Sequence, residues 1–180
     1  MRLAVHRARR VQGFTLIEIL IALVVLAFGL LSLARGMARA SHSDMEAFQR
    51  SEALTLVQDM VDRINLNRKN AALYVGDYVP AGAVEDCTAA LTQVDVDMCE
   101  WRNLLRGIST REGQSNIGAP LAPRGCITAS PDPNVYVVAL AWQGVVPTDR
   151  PLGSCGQDAF DREENRRVYS TVLQIATLGT

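Results

Sequence analysis

Three patterns of hydrophobic and polar positions follow one another along this chain. From Phe14 to Ala34 it reads FTLIEILIALVVLAFGLLSLA, broken by charge or hydroxyl only at Thr15, Glu18 and Ser32 and closed by Arg35. At ~1.5 Å per residue, a helix of that length matches the ~30 Å hydrocarbon core of a bilayer. Soluble amphipathic helices are not apolar on every face for so long. Beyond Arg35 the pattern becomes striped: Met45, Phe48, Leu54, Val57, Met60, Val61 and Ile64 recur every three or four residues. Asp44, Glu46, Arg50, Glu52, Asp59 and Arg63 take the other faces, and no proline intervenes before Pro80. The spacing predicts one helix from Phe14 to about Asn67, with a membrane half and a half that lies on a core. Two helices meeting near Gly36 or Ser41 are the alternative.

The third pattern is mixed. Residues 68–90, with Gly76, Pro80 and Gly82, read as a loop. A second helix is expected from Thr92 to Leu105, striped by Val94, Met98, Trp101, Leu104 and Leu105 and stopped by Gly107. A polar loop from Ser109 to Arg124 follows. Strands are expected at Cys126–Ala129, at Asn134–Gln143 and at Arg167–Ala176, where Tyr169, Leu173 and Ile175 share a face. The sum is an α+β chain, a long N-terminal helix packed on a small antiparallel sheet of three or four strands.

Charge sharpens the picture at the N-terminus. The net charge is −1, but Arg2, Arg7, Arg9 and Arg10 precede Gly13 with no acid among them, leaving fourteen basic and nineteen acidic residues in the remainder. A basic leader stays cytoplasmic and the following domain is exported. The near-neutral total excludes a strong general affinity for nucleic acid. A signal anchor accounts for this arrangement, and so does a secretory signal cut after Ala38-Arg39-Ala40. Neither accounts for Glu18, because a carboxylate inside a membrane helix costs ~3 kcal/mol or more. A snorkelling side chain near the helix end is the bland reading of it.

Gly13-Phe14-Thr15-Leu16-Ile17-Glu18, with a short basic leader before it and an apolar run after it, resembles the cleavage site of type IV prepilins. The resemblance implies cleavage after Gly13 by prepilin peptidase and methylation of the new Phe14 amine. It implies that Glu18 neutralises that amine on a neighbouring subunit during assembly, an attraction strengthened by the low dielectric. On this reading, 1–13 is leader, 14–34 is membrane or filament-core helix, 35–67 is its amphipathic continuation and 68–180 is a periplasmic pilin-like domain. The inner membrane holds the chain as a single-pass protein before assembly into a pilus at the cell surface. The order Cys99-Glu100-Trp101-Arg102, Gly125-Cys126-Ile127 and Val135-Tyr136-Val137-Val138-x-Leu140-x-Trp142 resembles PilV-type minor pilins. That implies partners among other minor pilins and the major pilin, and a role in pilus assembly, twitching motility and adhesion. A minor pseudopilin of type II secretion shares the same N-terminus.

Four cysteines, Cys87, Cys99, Cys126 and Cys155, follow the membrane run, an even number suited to disulfides in an exported domain. Of three connectivities, Cys87–Cys99 with Cys126–Cys155 closes the more local loops. No CxxC or histidine cluster suggests zinc; His6 lies in the leader and His42 on the long helix. Nothing resembles a catalytic triad or a nucleotide-binding glycine motif, so neither an enzyme nor a cofactor is expected. Asp95, Asp97, Glu163 and Glu164 are expected in solvent, as is the mixed-charge tract Asp161–Arg167. Replacing Glu18 by Ala is expected to leave processing intact and to reduce incorporation into filaments. Sheared-filament immunoblots report it, and undiminished piliation would contradict the charge-pairing role.

Overall fold

The computed structural model describes residues 13–176. The basic leader, apart from Gly13, lies outside them. The chain divides into two compact units, Met1–Ser41 and His42–Thr180. Helix α1 is continuous from Leu16 to Leu66, so neither Gly29 nor Gly36 interrupts it. Within the apolar run the Ser32 hydroxyl donates to the Phe28 carbonyl at 2.9 Å, satisfying a polar group inside the helix itself. An 18-residue window of α1 has a mean hydropathy of 2.8 with none of it buried in the protein.

In the second unit α1 buries Gln49, Ala53, Leu56, Val57, Met60 and Ile64. Of the expected stripe, Val57, Met60 and Ile64 are buried and Val61 packs against the core, whereas Met45, Phe48 and Leu54 are exposed and Gln49, Ala53 and Leu56 take their place. A short 3-10 segment, Arg68–Tyr74, follows and leads into β1, Gly76–Tyr78. The expected loop over 68–90 is thus partly ordered, and a second 3-10 turn lies at Cys87–Ala89.

Helix α2 runs Gln93–Leu105. It starts with a capping box: the Thr92 side chain accepts from the Asp95 amide and the Asp95 carboxylate accepts from the Thr92 amide, which satisfies two otherwise orphaned donors. It ends at Gly107, whose φ of +78° makes glycine the low-strain residue there. The stretch expected as loop after Ser109 holds a small hairpin, β2 (Arg111–Glu112) with β3 (Ser115–Asn116).

Strands β4 (Arg124–Ala129), β5 (Val135–Gln143) and β6 (Arg166–Gln174) join β1 in an antiparallel sheet of order β1-β4-β5-β6. Register pairs Tyr78 with Gly125, Ile127 with Val138, and Leu140 with both Gly125 and Tyr169. Alternation puts Ile127, Tyr136, Val138, Leu140, Trp142 and Leu173 into the main core with the α1 stripe, Trp101 and Leu105. The opposite face holds a smaller cluster of Cys126, Ala139, Ala141 and Cys155, with Phe160 and Val168 against it.

Two disulfides are present: Cys87–Cys99, 12 residues apart, and Cys126–Cys155, 29 apart. Loops of these lengths correspond to roughly 3 kcal/mol each from restriction of the unfolded chain. The first staples the 87–89 turn to α2, and the second ties the 144–165 segment to β4.

Trp101 is fully buried. Its Nε1–H donates to the Leu56 carbonyl of α1 at 2.8 Å, and its ring meets Tyr78 edge-on at 5.2 Å. A Cβ at Gly125 would lie 2.2 Å from the Trp101 ring. Gly125→Ala is therefore expected to destabilise the domain by ~1–3 kcal/mol through overpacking. Urea unfolding would show a lower midpoint, and an unchanged midpoint would mean that Trp101 has room to move.

Candidate functional site

Gly13, Phe14 and Thr15 precede α1 without regular structure, and Phe14 is 79% exposed. The Thr15 carbonyl accepts from the amides of Glu18 and Ile19 at 3.1 and 3.2 Å. The Thr15 hydroxyl oxygen also accepts from the Glu18 amide at 3.3 Å, which makes Thr15 the N-cap of α1. Thr15-Leu16-Ile17-Glu18 thus has the T-x-x-E spacing of a capping box, a signal the hydrophobic reading of this segment passed over. Only one half of the box is formed, because the Glu18 carboxylate has no hydrogen-bond partner among the described residues. It stands in the first turn, where the helix dipole favours negative charge.

Residues 8–34 match the family model of the prokaryotic N-terminal methylation motif. The motif supports a type IV pilin-type family. It is that of pilin- and pseudopilin-like proteins processed at their N-termini, a structural class, and with the apolar start of α1 it fits an inner-membrane anchor. No curated protein and no solved structure matches the chain. The motif match implies processing by prepilin peptidase and assembly with other pilins; it spans the N-terminal segment alone.

Behind the motif, the second unit is held by ion pairs that the sequence does not display. Asp97, expected in solvent, is 5% exposed. Its Oδ2 accepts from the Tyr74 hydroxyl, and its Oδ1 from Gln93 Nε2 at 2.9 Å and Arg63 Nη1 at 3.3 Å. Arg63 also reaches Asp59 at 2.7 Å and Glu100 at 2.6 Å, so one guanidinium joins α1 to α2. Asp95 serves the α2 cap.

Arg166, in the tract expected to face solvent, is 3% exposed. It donates to Glu163 Oε2 at 2.7 Å and to the carbonyls of Gly153 at 2.9 Å, Cys155 at 3.0 Å and Pro151 at 3.3 Å. This planar five-donor group can be buried because it is paired and its N–H groups meet fixed carbonyls. Glu46 ties α1 to the segment after β5, accepting from the amides of Val145 at 2.7 Å and Val146 at 3.2 Å.

All four cysteines are in disulfides, and no group of three or more His, Cys, Asp or Glu among the described residues is placed to hold a metal ion. An apolar groove of about 760 Å³ is lined in part by Met45, Phe48, Val79, Val84, Ile117 and Leu121, each more than a third exposed.

Three groups give this unit a defined pH response. Burial and the bond to Asp97 push the Tyr74 hydroxyl up to about 12, and burial does the same for Tyr78. The guanidiniums of Arg102 and Arg106 hold Glu85 down to about 2. The tyrosines bind their protons more tightly when folded. Their contribution is present below the ordinary tyrosine value of about 10 and is lost as pH rises toward about 12. Glu85 contributes above the ordinary 4.5, and that contribution is lost as pH falls toward about 2. Denaturant midpoints are expected to fall on both flanks. Glu85→Gln should lower the plateau and flatten the acid limb between these limits; an acid limb of unchanged slope would show that Glu85 does not set it.

Proposed function

We propose that this chain is a minor type IV pilin of the PilV type, a filament subunit and not an enzyme. The observation that carries the reading is the methylation motif over residues 8–34 continuous with an unburied apolar helix. Prepilin peptidase cleaves after Gly13 and methylates the Phe14 amine. Glu18, whose carboxylate has no hydrogen-bond partner among the described residues, pairs with the Phe14 amine of a neighbouring subunit. The pair removes two charges whose separate burial in the membrane is costly.

The second unit then acts as the periplasmic domain, and its apolar groove gives neighbouring subunits a surface to cover. The disulfides Cys87–Cys99 and Cys126–Cys155 suit that oxidising compartment. The PilV assignment adds support from the order of α2, β4 and β5 around Trp101, Gly125 and Trp142. It places the chain with other minor pilins and the major pilin in assembly, twitching motility and adhesion. The continuous helix through Ala38, Arg39 and Ala40 weighs against signal-peptidase cleavage there.

Mass spectrometry of the mature N-terminus, in cells with and without prepilin peptidase, tests the processing on which this reading depends. The expected result is a methylated Phe14 terminus that disappears with the peptidase. A terminus at Ser41, or no dependence on the peptidase, would overturn the filament reading.

A further inference from the structure

Strand β6 is one edge of the main sheet, and its backbone is committed on one side only. Hydrogen bonds just beyond each end of the β5–β6 ladder fix which side. The Gly144 amide donates to the Asn165 carbonyl at 2.7 Å, and the Ile175 amide to the Asn134 carbonyl at 2.8 Å. With the observed register, alternation turns the N–H and C=O of odd-numbered β6 residues toward β5 and those of even-numbered residues outward.

The outward row is occupied only at its start. The Glu164 carbonyl accepts from the Thr148 amide at 2.8 Å, and the Arg166 amide donates to the Glu163 carbonyl. At Val168, Ser170, Val172 and Gln174 the outward groups have no hydrogen-bond partner among the described residues. Helix α1 lies against the core face of this strand, with a cavity beside Trp142 between them. The edge itself is open: Ser170, Val172 and Gln174 are exposed, Val172 by 67%. A long, regular edge is a template for another strand unless it is shortened, bent, or blocked by proline or lysine. Strand β6 runs for nine residues and contains neither. From Val168 to Gln174 it carries no charge.

We infer that β6 pairs antiparallel with β6 of a second copy of this chain, joining two sheets into one. The other edge, β1, has three residues, so only β6 against β6 matches two copies along the whole open row. A two-fold axis at Ser170 sets Ser170 beside its own counterpart and Val168 beside Val172 of the second copy. The same register places Arg166 opposite Gln174 and Arg167 opposite Leu173. A parallel pairing would set each arginine against its own counterpart, where like charges destabilise. Charge therefore selects the antiparallel form. The surface lies wholly in the second unit and does not depend on how the N-terminus is processed.

Every native cysteine is in a disulfide, so one introduced thiol reports the register. The full-length chain in detergent micelles is oxidised with copper phenanthroline and resolved by non-reducing electrophoresis. Ser170→Cys is expected to give a linked dimer, because paired Cα atoms lie ~5.5 Å apart, within disulfide reach. Val172→Cys should stay monomeric, since its own counterpart lies ~13 Å along the strand. Adding Val172→Pro to Ser170→Cys removes an outward amide that the β5 ladder does not use. It should slow linkage about tenfold, and Val172→Lys, which leaves the backbone intact, should do the same. A monomeric Ser170→Cys, equal linkage at positions 170 and 172, or linkage undiminished by both Val172 substitutions would overturn the pairing. In the protein's own cells, linkage of Ser170→Cys to a different chain, with no dimer, would overturn the second copy as the occupant.

Discussion

The second unit is organised around the seating of one indole. Trp101 is the place where α1, α2, β1 and β4 meet: it sits on α2, donates to α1, contacts Tyr78 edge-on and fills the space above Gly125. A large aromatic contributes through area and shape at once, and here its one polar atom is satisfied by a helix carbonyl. Glycine is required at position 125 because the ring occupies the volume a Cβ would take. The register of β4 against its neighbours follows, since a one-residue slip would present Arg124 or Cys126 to the ring.

What could be read along the sequence was what depends on neighbours in the chain. The apolar run of α1 is uniform and requires no tertiary context, and β5 announces itself by β-branched and aromatic residues. The N-terminal motif is contiguous, so its spacing survives without a fold. The core stripe of α1 was harder. Large apolar residues such as Met45, Phe48 and Leu54 suggested one face, but the packed face includes Gln49 and Ala53. Alanine is buried there because the helix approaches its partners closely, a distance no single-residue preference encodes.

The buried charges were not legible for the same reason. Asp97 is acceptable in the interior because Arg63, far away in sequence, donates to it together with Tyr74 and Gln93. Arg166 is acceptable because the chain between Pro151 and Cys155 folds its carbonyls toward it. Strand β1 escaped notice because three residues that begin at Gly76 and end two short of Pro80 carry no periodicity. The cavity beside Trp142 exists only once α1 and β6 lie together.

The cross-links have a mechanical corollary. One disulfide closes a loop within residues 87–99 and the other within 126–155, so neither encloses any part of α1. The sheet and α2 are covalently reinforced, whereas the long helix is tethered by side-chain contacts: the Trp101 bond, the Arg63 fork, the Glu46 clasp and the apolar stripe. A load that pulls α1 off the sheet is therefore resisted first by bonds that can slip and re-form, and then by the backbone that runs on from Leu66 to Cys87. The stapled parts are held by covalent links that the packing of α1 does not share.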